Sequence, residues 1–303
     1  MTGKKRGKML FVYNPHSGRG EISQALSDIL WRFTGYGYDV TVHPTQARED
    51  GEHFITKHAG EYDIVVTGGG DGMLHELFAG ILANGSDMPC GYIPCGTVND
   101  FASSLMIPKT PIEAVETIIN GKVKAIDAGI FNDSIFSYVA AFGLFTRASY
   151  STDQTLKNLL GFGAYLLEII KTTDLIHFND MSVHARVKVA DKEYEDDFIF
   201  GFAGNTLSVG GLTNIVPSQA QMNDGLLELM FVKTPRSIQD LDLIRQAFMN
   251  HDLNSPCILS LQAHKAEVIM DKETEWTLDG EYGGSCKKAN IGVLSRAVKI
   301  LCP

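Results

Sequence analysis

Two glycine-rich turns, each following a short apolar run, constrain this chain more than any other feature. The first is Ile64-Val65-Val66-Thr67-Gly68-Gly69-Gly70-Asp71-Gly72, and the second is Tyr92-Ile93-Pro94-Cys95-Gly96-Thr97-Val98-Asn99-Asp100-Phe101. Each reads as a strand, a glycine turn with an acid, and then a helix. Glycine leaves backbone N–H groups unshielded, so phosphate oxygens can approach closely. The helix that follows turns its positive end toward the same spot. Thr97 and Asp100 add a hydroxyl and a second carboxylate. Phosphates among several carboxylates call for a divalent cation, because bare carboxylates would repel a nucleoside triphosphate. One such turn is equally explained by tight strand–helix packing. Two within about thirty residues, each with an acid, point to phosphate. Neither is a Walker loop, and no G-x-G-x-x-G opens the first strand–helix unit.

The surrounding pattern sets the fold class. Met9–Tyr13, Val40 and Val42, Ile64–Val66, and Tyr92 with Ile93 read as strands. Helical spacing joins Ile22, Ala25, Leu26, Ile29 and Leu30, and again Leu74, Leu77, Phe78 and Ile81. Pro108 closes a short helix after the second glycine turn. This β-α-β-α order predicts an α/β domain with a parallel sheet and helices on both faces. In such sheets ligands bind at the carboxyl ends of the strands, where the glycine turns lie.

After about Gly129 the texture changes. Val183, Ala185, Val187 and Val189 alternate with polar residues, and strand-like runs recur at Phe198–Phe202, Leu226–Val232, Glu267–Met270 and Trp276–Leu278. A mainly antiparallel second domain follows, interrupted by helical runs over 156–170 and 238–249. The expected division is 1–128 for the first domain and 129–290 for the second.

Composition excludes several classes. The net charge of −10 argues against broad nucleic-acid binding. No apolar run approaches the ~20 residues of a membrane-spanning helix. The basic start, with Lys4, Lys5, Arg6 and Lys8, reads as a solvated tail or a contact with an anionic bilayer. Five cysteines without a CxxC pair suggest reduced thiols in a cytoplasmic protein, and Cys95 reads as a buried filler.

Phosphoryl transfer needs a held triphosphate, a metal, and a base beside an acceptor hydroxyl. Gly68, Gly69, Gly70, Asp71, Gly72 and Thr97 are the phosphate candidates. Asn14, Ser17 and Arg19 lie in another turn after a strand; they either reach the same cleft or simply cap turn and helix. Asp71, Asp100 and Asp127 follow three successive strands in this reading and can converge on Mg²⁺, although each alone would serve as a helix cap. Asp279 and Glu281, two apart on a strand, would share a face and supply the base, with either one accepting the proton. The competing reading of Asp279-Gly280 is a hairpin turn.

The motifs GGGDGMLHEL and PCGTVNDFA resemble the signatures of the diacylglycerol kinase catalytic domain family, in its soluble bacterial lipid kinase branch. That family is related to sphingosine and ceramide kinases and more distantly to NAD kinases. Asn14-Pro15-His16-Ser17-Gly18, Ile126-Asp127-Ala128-Gly129, Pro217 to Leu226 and Leu278-Asp279-Gly280-Glu281 match further family motifs in order. The resemblance implies an NAD-kinase-like first domain, to which residues 291–303 return, and a β-sandwich second domain. It implies an ATP- and Mg-dependent lipid kinase acting on a primary hydroxyl of a diacylglycerol-like lipid at the membrane surface, cytoplasmic and transiently membrane-associated. It places Thr45 beside the nucleotide, and it makes Gln221, Asp224 and Leu226 a second, structural metal site. Lipid would enter between the domains along Phe142, Leu144, Phe145, Phe162, Tyr165 or Leu166, residues that serve equally well as core. The oligomeric state is not encoded, a homodimer being one option.

Two residues depart from the family pattern. Met73 stands where threonine is usual and His75 where asparagine is usual, so both border the expected phosphates with altered chemistry. A threonine at 73 would be expected to tighten nucleotide binding. The same departures support a second hypothesis, a catalytically weak nucleotide-binding or regulatory protein. An NAD kinase-like enzyme is a third, disfavoured by the N-D-F-A and D-G-E motifs. A Rossmann-type oxidoreductase is a fourth, disfavoured by the missing dinucleotide fingerprint.

Overall fold

The computed structural model describes residues 7–96, 99–144, 175–205, 208–209, 212–213, 221–250 and 253–303. The contacts fall into two compact units: Met1–Ala128 with Arg296–Pro303, and Gly129–Ser295.

The first unit alternates strands and helices. In order they are β1 (Gly7–Tyr13), α1 (Glu21–Gly35), β2 (Tyr38–Pro44), α2 (Asp50–His58), β3 (Ile64–Gly69), α3 (Asp71–Asn84), β4 (Pro89–Pro94), α4 (Asp100–Ser104), α5 (Pro111–Asn120) and β5 (Lys122–Phe131). β1 pairs in parallel with β2 and β3, and β3 with β4. Every residue of β3 is buried, as expected of a strand covered on both faces. The helices show why they stop and start where they do. α3 ends at Gly85, whose φ of 74° supplies the left-handed cap. α5 begins with Pro111, where a missing N–H costs nothing. The periodic residues Leu74, Leu77, Phe78 and Ile81 are all buried.

The second unit holds β6 (Ser134–Phe136), β7 (Val139–Gly143), α6 (Leu175–Met181), β8 (Val183–Val189), β9 (Lys192–Gly204), β10 (Ser208–Val209), β11 (Leu212–Thr213), β12 (Leu227–Lys233), α7 (Ile238–Met249), β13 (Ile258–Ala263), β14 (Lys265–Leu278) and the first part of β15 (Glu281–Cys302). Its pairings are antiparallel: β9 lies between β7 and β12, β12 also pairs β13, and β14 takes β7, β8 and β15. β8 shows the alternation read from sequence. Val183, Ala185 and Val187 are buried while His184 and Arg186 face solvent. The core gathers Phe142, Phe198, Phe231 and Trp276, with Phe142 and Trp276 rings 4.8 Å apart.

Two strands pass from one unit to the other. β5 runs on through Ala128 to Phe131 and there pairs β6. β15 pairs β14 as far as Gly292, then pairs β4 in parallel at Lys299 and Ile300. The return to the first unit therefore begins at Arg296 rather than Ile291, because Ile291 and Gly292 are still held by Ala266 and Lys265. The helical run expected over 156–170 lies outside the described residues.

Candidate active site

Parallel pairing brings the carboxyl ends of β1, β3 and β4 together, since Tyr13 lies beside Gly68 and Gly69 beside Pro94. The turns that follow these strands are fastened to one another. The Asn14 N–H donates to the Gly68 carbonyl at 3.0 Å, and the Cys95 N–H donates to that of Gly69 at 2.7 Å. The Thr45 N–H donates to Tyr13 at 2.9 Å, which adds the end of β2. Asn14, Ser17, Thr45, Gly68, Gly69, Gly70 and Asp71 are thus gathered at one edge of the sheet. Arg19 is exposed. Thr97 lies outside the described residues, as does the side chain of Asp100, which opens α4.

The glycines of the first turn serve different purposes. A Cβ on Gly68 would stand 2.5 Å from Ile22 Cδ1, and one on Gly69 2.4 Å from Met73 Cγ. Both are therefore required by internal packing, whatever binds above them. Gly70 faces Gly96 of the second turn, its Cβ position 3.3 Å from the Gly96 Cα. Only small residues let the two turns come this close. Gly72 differs: outside its own turn, no described atom lies within 4 Å of its Cβ position. Its surroundings at the N-terminus of α3 leave room for an oxyanion, where the first N–H groups of a helix have no intrahelical acceptor.

Asn99, which sequence reasoning passed over, closes the second turn. Its side chain accepts from the Gly96 N–H at 2.9 Å and donates to the Gly96 carbonyl at 2.7 Å, and its own N–H donates to Asp71 Oδ2 at 3.2 Å. With φ of 54° and a buried side chain, it holds the left-handed conformation that asparagine tolerates best. The signal was present in the sequence as the Asn of N-D-F-A. Tyr92 donates its buried hydroxyl to Gly69 at 3.1 Å, and burial pushes its ionisation well above the usual phenol range. Burial also pushes the Cys95 thiol up to about 12, so it stays protonated and fills space.

Met73 points inward. Its side chain is buried, lying over Gly69 and toward Gly51, whose Cβ position is 3.2 Å from Met73 Cε. The residue fills the interior beneath the turn. His75 is half-buried on α3.

The two described aspartates of the expected Mg²⁺ network, Asp71 and Asp127, do not share one geometry. Asp127 is not at a strand end; it lies inside β5, which continues into the second unit. Its fully buried carboxylate accepts the Arg296 N–H at 2.6 Å, while Asp71 accepts from Asn99. Among the described residues no three His, Cys, Asp or Glu side chains form a metal cage. Asp71 beside an open glycine turn still suits Mg²⁺, which keeps several waters and takes one or two carboxylates with substrate phosphates.

In the second unit Asp279 and Glu281 do not share a face. Leu278 pairs Glu281, so Asp279 and Gly280 are the two central residues of a hairpin turn. Their φ values of 52° and 87° are the positive pair that the tight primed turn demands. Asp279 is turned inward and buried. Its Oδ2 accepts from the Ser137 N–H at 2.7 Å and hydroxyl at 2.8 Å, and its Oδ1 from the N–H groups of Tyr138 and Val139 at 2.9 and 3.1 Å. A carboxylate has about four acceptor sites, and four donors occupy them. Glu281 is exposed at the start of β15.

The remaining predicted residues divide similarly. Asp224 is exposed and accepts the Leu226 N–H at 3.0 Å, a local turn beside an exposed Gln221. Phe142 and Leu144 are buried, and Phe142 packs on Trp276 and Phe231 in the core of the second unit. Phe145, Phe162, Tyr165 and Leu166 lie outside the described residues.

Comparison with known proteins agrees with this layout. Residues 8–131 match the model of the diacylglycerol kinase catalytic domain, and residues 139–302 match that of the YegS C-terminal NAD kinase beta sandwich-like domain. The pair defines a two-domain lipid kinase architecture. The chain is 30% identical over 275 residues to a diacylglycerol kinase of Bacillus subtilis (strain 168), covering 90% of this chain and 89% of that one. A diacylglycerol kinase of Staphylococcus epidermidis is 28% identical over 302 residues, covering 99% and 93%. A solved chain from Bacillus anthracis str. Sterne shares the fold with a TM-score of 0.86 at 24% identity, covering 99% and 98%. The chain belongs to the diacylglycerol kinase family, a family of lipid-kinase phosphotransferases. Among the described residues no helix is long and apolar enough to cross a membrane.

Proposed function

We propose that this protein transfers the γ-phosphoryl group of ATP to a primary hydroxyl of a diacylglycerol-like lipid, working transiently at a membrane surface from the cytoplasm. The observation that carries the reading is the meeting of three strand-end turns at the N-terminus of α3, with open space at Gly72. The N–H groups of that turn, with Asn14, Ser17 and Thr45, hold the phosphates. Asp71 would hold Mg²⁺ together with the substrate phosphates, and the ion would supply the positive charge that the glycine turn alone does not. The second unit supplies the proton acceptor. Glu281, exposed and ahead of a long strand, takes the proton of the acceptor hydroxyl as that oxygen bonds to the γ-phosphorus and ADP departs. Asp279 fixes the hairpin that presents Glu281 by binding three N–H groups and one hydroxyl across the turn.

The test is transfer of labelled γ-phosphate from ATP to a total lipid extract, with separation of the products. Wild-type protein is expected to label one lipid class that co-migrates with a phosphorylated diacylglycerol. Glu281→Gln is expected to lower turnover by about 10²–10⁴-fold while binding ATP normally, the usual loss for a missing general base. ATP binding without any labelled lipid would instead favour a regulatory nucleotide-binding protein.

A further inference from the structure

The segment joining β2 to α2 carries Thr45, and its far end is held from outside by a residue given no role so far. Glu76 projects from α3, five residues beyond Asp71. Its Oε1 accepts the Glu49 N–H at 3.1 Å and its Oε2 the Glu52 N–H at 3.2 Å. These are N–H groups at the start of α2, which have no acceptor within their own helix. A carboxylate there also meets the positive end of the helix. Glu49 itself has φ of 66°, an uncommon conformation for a glutamate that needs such outside support.

The fastening is close on every side. A Cβ on Gly51 would stand 2.5 Å from Glu76 Oε2, 3.2 Å from Met73 Cε and 3.4 Å from Thr45 Cγ2. Gly51 is thus the point where α2, α3 and the Thr45 loop meet, and only a hydrogen fits there. At the near end of the loop the Thr45 N–H is tied to Tyr13. Between the two ends, Asp50 Oδ2 accepts the Gln46 N–H at 2.8 Å and lies 3.2 Å from His43 Nε2. The loop is therefore pinned to β1 at one end and to the helix of the glycine turn at the other.

We propose that Glu76 is a positioning residue for the nucleotide: through α2 it sets the place of Thr45 relative to the glycine turn, so that both contact one triphosphate. This rests on the assignment of Thr45 and the glycine turn to nucleotide binding. Glu76 touches neither phosphate nor acceptor. Its substitution acts on ATP affinity by way of Thr45 and leaves the chemical step alone.

The experiment is a double-mutant cycle on ATP·Mg²⁺ affinity by calorimetric titration, using the full chain: wild type, Thr45→Ala, Glu76→Gln and the pair. Glutamine keeps the shape but puts an NH₂ donor against one of the two N–H donors. Glu76→Gln is expected to weaken ATP binding about tenfold, the scale of losing an outer-shell hydrogen-bond partner, with kcat unchanged. In the Thr45→Ala background the same substitution should cost almost nothing more, because both act through one contact. If Glu76→Gln fails to fold, Gly51→Ala displaces the same carboxylate by a single methyl and should show the same dependence on Thr45. Losses that multiply independently, or a lowered melting temperature with unchanged affinity, would overturn the positioning role and leave the nucleotide site standing. Absence of ATP binding by the wild type would overturn the nucleotide site, and the inference with it.

Discussion

Of the chain's four Asp-Gly dipeptides, the two at either end of its proposed chemistry adopt opposite roles. Asp71-Gly72 opens helix α3 with its glycine in open surroundings. Asp279-Gly280 closes a hairpin with both residues at positive φ, and its aspartate is buried under four donors. At 71–72 the dipeptide opens a helix beside open space, and at 279–280 it turns its aspartate into an internal staple. What decides is the sign of φ: a two-residue loop between strands needs it positive, and that rotates the aspartate off the strand's alternating pattern.

The sharpest test of this contrast is stability. Asp279→Ala strands three buried N–H groups and a hydroxyl, at about 1–3 kcal/mol for each unsatisfied donor. We expect a loss exceeding about 3 kcal/mol in denaturant unfolding. Asp71→Ala should cost less, about 1.5–3 kcal/mol for its charge-assisted bond from Asn99. The reverse order would break the comparison.

Met73→Thr comes next. Replacing a buried methionine by a shorter, polar side chain should lower stability by about 2 kcal/mol or more and leave ATP affinity no better, against the expectation from sequence. Tighter ATP binding at unchanged melting temperature would return residue 73 to the phosphate site. Gly72→Ala should have a smaller effect of opposite sign on stability, a gain of about 0.4–1 kcal/mol, because the site has room and the unfolded chain loses freedom. It should weaken ATP binding at the same time. A gain without weaker binding would show that no anion approaches Gly72.

The smallest effect belongs to an exposed charge cluster in the second unit, a control for the buried aspartate. The His184 titration is raised, first by its hydrogen bond to Asp197 and then by that to Glu195. Its contribution to stability is fully present below the ordinary histidine value of 6.5 and fades as pH rises through the raised folded value. Solvent screening keeps that contribution small. Proton NMR titration should show the raised midpoint, and Asp197→Asn should bring it down.

Much of this was legible in the sequence because period and order survive without tertiary information. β1, α1, β3, α3, β8 and α7 lie where apolar spacing placed them. The glycine turns were legible as a pair. Facing was not. Nothing local in Asp-Gly-Glu tells a hairpin from a continuing strand, and the fate of Asp279 depends on donors some 140 residues away in sequence. The burial of Met73 was illegible for the same reason: its position in a motif suggested ligand contact, while its neighbour Gly51 comes from another helix. Asp127 was placed at a strand end because only the pairing of β5 with β6 shows that the strand continues.

The course of β15 has a consequence for how the protein is made. Lys299 and Ile300 supply a parallel partner to β4, and the Arg296 N–H is the donor to the buried carboxylate of Asp127. Both belong to the first unit but are synthesised after the whole of the second. On the ribosome the first unit therefore lacks this partner strand for β4 and the Arg296 donor to Asp127 until the second unit has been translated. At a synthesis rate of about 5–20 residues per second, that wait lasts on the order of ten seconds or more. A protein that a polymer chemist would draw as two beads is, in time, one bead threaded through the other's assembly.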